Sequence, residues 1–291
     1  MSGGPALPRS PLARFTQLVS DERERFDLAE ACLMIAEDAY PDLPIDRYLG
    51  DIERMGAKLR ARVGESADAE ERVIALNQFL FSESGFSGNT AEYYDPRNNY
   101  LNEVLERRKG IPITIAILYM EVGRRIGLPL EGVSFPGHFL VRLKLRGGTL
   151  ILDPFSGGAP LSEDELRALL RRVVVGTGRP AEAVNDLPMG QFLEPAGKRQ
   201  ILARVLRNLK GIHRQAGERR KLLEVMNRLV IVAPEAAEEL RDRGLLYREL
   251  EAFRAALQDL SAYLERAPEA ADAADIRATV VELTALCARL N

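Results

Sequence analysis

The chain has 291 residues, 46% of them hydrophobic and 29% charged, enough apolar side chain for more than one core, so two domains are expected. A formal net charge of −3 gives no global attraction for nucleic acid, and two widely spaced cysteines with two histidines argue against a disulfide framework, a metal centre or a resident cofactor. The longest strongly apolar run, around Ile111 to Met120, is too short to span a bilayer, and a soluble cytoplasmic protein is expected.

The N-terminus, MSGGPALPRSPLARF, lacks the apolar stretch of a signal peptide and reads as a flexible arm over residues 1–14. From roughly Ser10 to Leu105 the pattern is helical, with apolar residues recurring at spacings of three and four in FDLAEACLMIAEDAY, IDRYLGDIERMGAKLRARV and AEERVIALNQFLF. Pro41-Asp42 and Gly64-Glu65-Ser66 punctuate them. Ser82 to Asn99 reads as a structured loop, and loops this long are often functional. A helix from about Pro112 to Arg125 is apolar on most faces and is expected to be the buried centre of a domain over residues 15–175.

Strands follow at about Leu130 to Ser134, His138 to Leu145 and Thr149 to Leu152, with Gly147-Gly148 as the hairpin turn. SEDELRALLRRVV reads as a helix capped by Ser162, with Glu165 at capping-box spacing. Residues 176–197, rich in proline and glycine, read as a linker. Beyond them Ala233-Pro234-Glu235-Ala236 returns 34 residues later as Ala267-Pro268-Glu269-Ala270, the tetratricopeptide length. Leu240, Gly244, Tyr247, Ala256 and Leu260 fall on the small and packing positions of that repeat. The register before it is looser, with Lys210 where a small residue belongs, so residues 198–291 are expected to form two repeats and a capping helix.

His138 stands out because it follows a Pro-Gly corner at the start of a strand; alternation puts it with Leu140, Arg142 and Lys144 on the more polar face. Asp153 has two readings, an orienter of His138 or a turn former. A turn at Gly147-Gly148 places it opposite Arg142, roughly 13 Å along the strand from His138, so an ion pair with Arg142 is the local alternative. Tyr94, Asn98, Asn99, Asn102 and Glu103 cluster before the central helix, either lining a pocket or starting a helix. Thr114 is the hydroxyl nearest the start of that helix; its alternative role is to cap the turn. In the tail, Arg207, Lys210 and Arg214 belong to a basic run, a solvated face or a dock for an acidic protein segment. Tyr247 stands beside them as a candidate partner contact, while His213 falls on a packing position.

The order of glycine-led helix, histidine strand and aspartate strand from Arg107 to Phe155 resembles the transglutaminase-like core. The run YYDPRNNYLNEVLERRKGIPITIAILYMEVGRRIGLPLEGVSFPGHFLVR is similar to the bacterial SirB-type family, transglutaminase-like proteins with a tetratricopeptide tail. The resemblance implies an α+β fold: a mostly helical, papain-like domain with a small antiparallel sheet, followed by an all-α repeat tail. It also implies a cysteine nucleophile two residues after Gly110, helped by a helix N-terminus, a histidine and a carboxylate. Pro112 holds that position, and Gly-Ile-Pro-Ile-Thr here is a trait of the family. Proline suits a first helical turn but has no nucleophile.

Two functions follow. One is a catalytically silent domain whose tail binds a protein partner, without nucleic acid or membrane. The other is a hydrolase or acyl-transfer catalyst in which His138, oriented by Asp153, acts on water or on Thr114.

Overall fold

The computed structural model describes residues 10–185 and 187–289. The chain divides into two compact units, one over residues 21–205 and one joining residues from 206 onward with those up to 20.

In the first unit, α2 (Leu28–Ala36), α3 (Ile45–Val63), α4 (Ala69–Asn77) and α5 (Leu101–Arg107) surround α6 (Pro112–Arg125), whose residues from Pro112 to Gly123 are all buried. Asp27 and Asp68 cap α2 and α4 through their carboxylates, and Glu71 completes a capping box with Asp68. The first helix among the described residues, α1 (Pro11–Leu18), is capped by Ser10 and belongs to the other unit. It corrects the expectation of a flexible arm to residue 14: Pro at N1 and a Ser cap start the helix, and fully buried Phe15 anchors it on α9 (Arg219–Val232). Residues 1–9 lie outside the described residues.

Two short parallel strands, β1 (Ser87–Gly88) and β2 (Lys109–Gly110), pair just before α6. The main sheet is antiparallel, in the order β3 (Leu130–Val133), β4 (Leu140–Leu145), β5 (Gly148–Asp153) and β6 (Ala159–Pro160). Leu145 pairs with Gly148, so the hairpin turn is Arg146-Gly147 and not Gly147-Gly148. This moves the whole register: Arg142 faces Ile151, and β4 begins at Leu140, leaving His138 in the bend that leads into it. The expected polar face of β4 is also corrected. Leu140 is fully buried with Ile151, Leu166 and Leu170, because α7 (Glu163–Gly176) covers that side, while α6 packs against β3 and β4.

The same cluster takes in Val184 and Met189, from the 3₁₀ turns Ala181–Val184 and Met189–Phe192. Val184 and Met189 therefore tie the described part of the expected linker to this unit's core, beside α7.

The second unit carries the repeats. Helix α8 (Lys198–Gln215) runs into it, followed by α9, α10 (Ala237–Glu249), α11 (Phe253–Arg266) and α12 (Ala273–Arg289). The 34-residue period is visible in the backbone. Ala233 and Ala267 end α9 and α11 at φ −127°, ψ 60° and φ −133°, ψ 59°, and positive φ occurs at both Gly217 (69°) and Glu251 (57°). Leu240, Ala256 and Leu260 are buried together, and a Cβ on Gly244 would lie 2.8 Å from Leu260. No helix among the described residues is long and apolar enough to cross a membrane.

Candidate functional site

The shifted register brings Asp153 to the end of β5 beside the bend that carries His138. His138 Nε2 lies 2.9 Å from Asp153 Oδ1. The Asp153–Arg142 ion pair is excluded, since the Arg142 guanidinium binds Glu131 at 2.8 Å and the Leu193 carbonyl at 2.9 Å. Asp153 is 4% exposed and accepts two further hydrogen bonds, from the Phe155 amide at 3.0 Å and the Ser156 hydroxyl at 2.8 Å. Burial by itself would raise its pKa. The His138 hydrogen bond and charge, with Ser156 and Phe155, outweigh burial and hold the carboxylate below the ordinary value.

With Asp153 as acceptor, neutral His138 carries its proton on Nε2, which leaves a lone pair on Nδ1. Among the described residues nothing hydrogen-bonds Nδ1. The carboxylate thus fixes the orientation of the imidazole and leaves Nδ1 available to a ligand. The bend itself is fastened by Arg204, which donates to Ser134 Oγ at 3.1 Å and to the His138 carbonyl at 3.5 Å.

Phe155 connects this pair with the start of α6. Its ring meets His138 edge-on at 5.9 Å and Tyr93 at 6.4 Å, and Tyr93 in turn meets Tyr94 at 5.4 Å. A Cβ on Gly88 would come within 2.4 Å of the Phe155 ring, so only glycine fits there. Gly88 pairs with Gly110, two residues before Pro112. Phe155 and Gly88 escaped sequence reasoning, whereas Tyr93 belongs to the cluster read before the central helix; the run Asp153-Pro154-Phe155 was the available signal.

Thr114 is corrected to a structural role. Its hydroxyl is 1% exposed, donates to the Asn98 carbonyl at 2.7 Å and accepts from the Ile111 amide at 3.1 Å. That is a cap on α6, and it leaves no proton for a base to remove. Pro112 is buried at the first position of α6. Cys32 does not substitute for a nucleophile there, because burial, followed by the charges of Glu121 and Asp27, pushes its thiol far up. Glu121 lies about 13 Å along α6 from Pro112.

The asparagine cluster separates into parts. Asn98 is fully buried as a strut: it accepts from Asn89 at 3.1 Å and donates to the Glu92 carbonyl at 2.7 Å, holding the loop that carries Tyr93. It supports the site and does not line it. Asn99 and Asn102 are each 3% exposed, and their Oδ1 atoms are buried without a hydrogen-bond donor among the described residues. Glu103 takes the Tyr40 hydroxyl, while Tyr94 is 77% exposed and is the one residue of the group open to a ligand.

In the repeats the basic run is neutralised internally. Arg207 binds Glu239 at 2.9 Å, Lys210 binds Glu239 and Asp242, and Arg214 binds Asp242 at 2.9 Å. An open basic dock is thus corrected to a ladder between α8 and α10, formed because the repeat stacks equivalent helices side by side. Tyr247 donates to Asn227 at 3.2 Å under the Arg243 guanidinium, and buried His213 meets Glu218 at 2.6 Å.

Comparison with known proteins agrees with this architecture. Residues 46–207 match the model of the transglutaminase-like superfamily, and residues 209–280 match a tetratricopeptide repeat model. A UPF0162 protein of Xylella fastidiosa is 41% identical over 94% of this chain and 95% of its own length. A UPF0162 protein of Pseudomonas aeruginosa is 33% identical over 80% of this chain and 82% of its own. Protein SirB1 of Salmonella typhimurium is 27% identical over 87% of this chain and 91% of its own. The chain belongs to the SirB-type family, in which a transglutaminase-like domain is followed by tetratricopeptide repeats.

Proposed function

We propose that this chain is a non-catalytic transglutaminase-like protein that acts in the cytoplasm by binding a protein partner through its repeats. Pro112 carries the proposal. The helix start that would lower the pKa of a thiol is occupied by a side chain with no proton and no lone pair to offer. Both cysteines are free, in keeping with a reducing compartment. The repeat unit supports the partner side with a cavity of about 490 Å³ that includes Arg214, Arg219, Leu245 and Glu249, where charged and apolar groups alternate. Arg207, Lys210 and Tyr247 set the stacking that shapes it.

The test is in-cell photocrosslinking of the full chain, with a benzophenone side chain at Arg219 or, as a control, at exposed Ile74 of the other unit. A discrete adduct from Arg219 and none from Ile74 is expected. Equal adducts from both positions, or none from Arg219, would contradict a partner held by the repeats.

The His138–Asp153 hydrogen bond favours a second reading, a hydrolase that uses His138 to activate water. It requires ester or amide turnover by the purified chain that disappears in His138→Ala. Turnover unchanged by that substitution, or no turnover at all, rules it out.

A further inference from the structure

Away from the His138–Asp153 pair, the first unit holds a cavity of about 400 Å³ between α3, the end of α5 and the π-helical turn Gln78–Glu83. We infer that it binds a small aromatic carboxylate, with the ring on its apolar floor and the carboxylate between Lys58 and Arg108. The size suits one ring with a short acidic arm, at the lower end of the roughly 300–1,000 Å³ typical of small-molecule sites.

The floor is made by Phe79 and Phe86, 3% and 4% exposed, with Met55 and Leu105 beside them. The charges around the rim do not balance. Four cations, Arg47, Arg54, Lys58 and Arg108, face two acids, Asp51 and Glu106. Both acids are already engaged: Asp51 by Arg54, and Glu106 by the Tyr48 hydroxyl at 2.6 Å with Arg47 at 3.7 Å. Lys58 and Arg108 remain. Among the described residues neither side chain makes an ion pair or hydrogen bond; the Lys58 ammonium lies 5.6 Å from the centre of the Phe79 ring. Two uncompensated cations over an aromatic floor form a complement to a carboxylate attached to an apolar body.

Two features of the backbone aim side chains into this space. Arg108 ends α5 at φ 58°, ψ 26°, a left-handed conformation that a branched-off side chain pays for and that here turns the guanidinium across Gly85. The wall opposite is a π-helix, in which the Ser84 amide bonds the Phe79 carbonyl five residues back at 2.9 Å. That extra residue per turn swings Phe79 under Lys58.

Titration calorimetry of the intact chain with phenylbutyrate tests the inference, with phenylbutanol and inorganic phosphate as single-feature controls. Saturable binding at one site is expected, at least about tenfold weaker for either control. Lys58→Gln and Arg108→Gly should each weaken it by about tenfold or more, glycine being chosen because it accepts the positive φ. Arg108→Lys, which keeps the charge, should retain most of the binding, so a folding defect in one variant does not remove the test. No saturation by the wild-type chain, equal binding of phenylbutanol or of phosphate, or unaltered binding in both neutral variants would overturn it.

Discussion

Asp153 concentrates three hydrogen bonds, accepting from His138, the Phe155 amide and Ser156 while almost fully buried. Truncation to alanine would strand a buried amide and a hydroxyl, so Asp153→Ala is expected to cost about 1–3 kcal/mol, read from chemical denaturation. The pH dependence follows from the direction of the shift. The folded carboxylate titrates below its ordinary 3.8, so its stabilisation is complete above that value and is lost as pH falls through the lower folded pKa. The difference in Tm between wild type and Asp153→Asn should therefore be constant near neutrality and shrink below about pH 4. His138 was legible from the rarity of histidine, and both it and Asp153 from their strand contexts. Their contact was not, because a one-residue move of the hairpin turn shifts the paired partner by two positions, and Gly147-Gly148 reads as well as Arg146-Gly147. Thr114 was equally ambiguous: capping and nucleophilic readings differ only in which neighbour takes its proton.

At the scale of elements, the repeats impose the same backbone on unequal residues. Gly217 meets the left-handed position with glycine, whereas Glu251 meets it with a side chain. Glu251→Gly should relieve roughly 1–2 kcal/mol of conformational cost, less the entropy glycine loses on folding, and raise Tm; a fall in Tm would contradict the repeat-imposed strain. The α8–α10 ladder has its own signature. Burial would raise the Asp242 pKa, but hydrogen bonds and charge from Lys210, Arg214 and Arg241 bring it down to about 2. Its contribution is thus present above the ordinary carboxylate value and disappears as pH approaches 2. Asp242→Asn should lower Tm at pH 7 and make no difference below about pH 2; a constant offset across that range would contradict the ladder. The 34-residue period made α9 to α12 legible. Helix α1 was not, since about two turns after a proline-rich start carry little pattern, and its anchor is the distant Arg228 beside Phe15. The 3₁₀ turns of residues 176–197 were hidden by the same prolines and glycines that mark linkers.

Over the whole molecule, a domain that holds a His138–Asp153 hydrogen bond and a glycine-led helix is followed by a repeat unit in which Arg207, Lys210 and Arg214 are paired internally. The fold was legible because the family pattern extends through most of the chain. What the site does depends on one position. The most direct measurement is the pH dependence of alkylation by iodoacetamide at position 112 in Pro112→Cys, resolved by peptide mass spectrometry from Cys32 and Cys287. A preserved scaffold without its nucleophile predicts a thiol titrating below the free value of about 8.5, returning toward it in the double variant with His138→Ala, and no labelling of that helix in the wild type. A thiol at position 112 that titrates at the free value whether or not His138 is present would contradict the account.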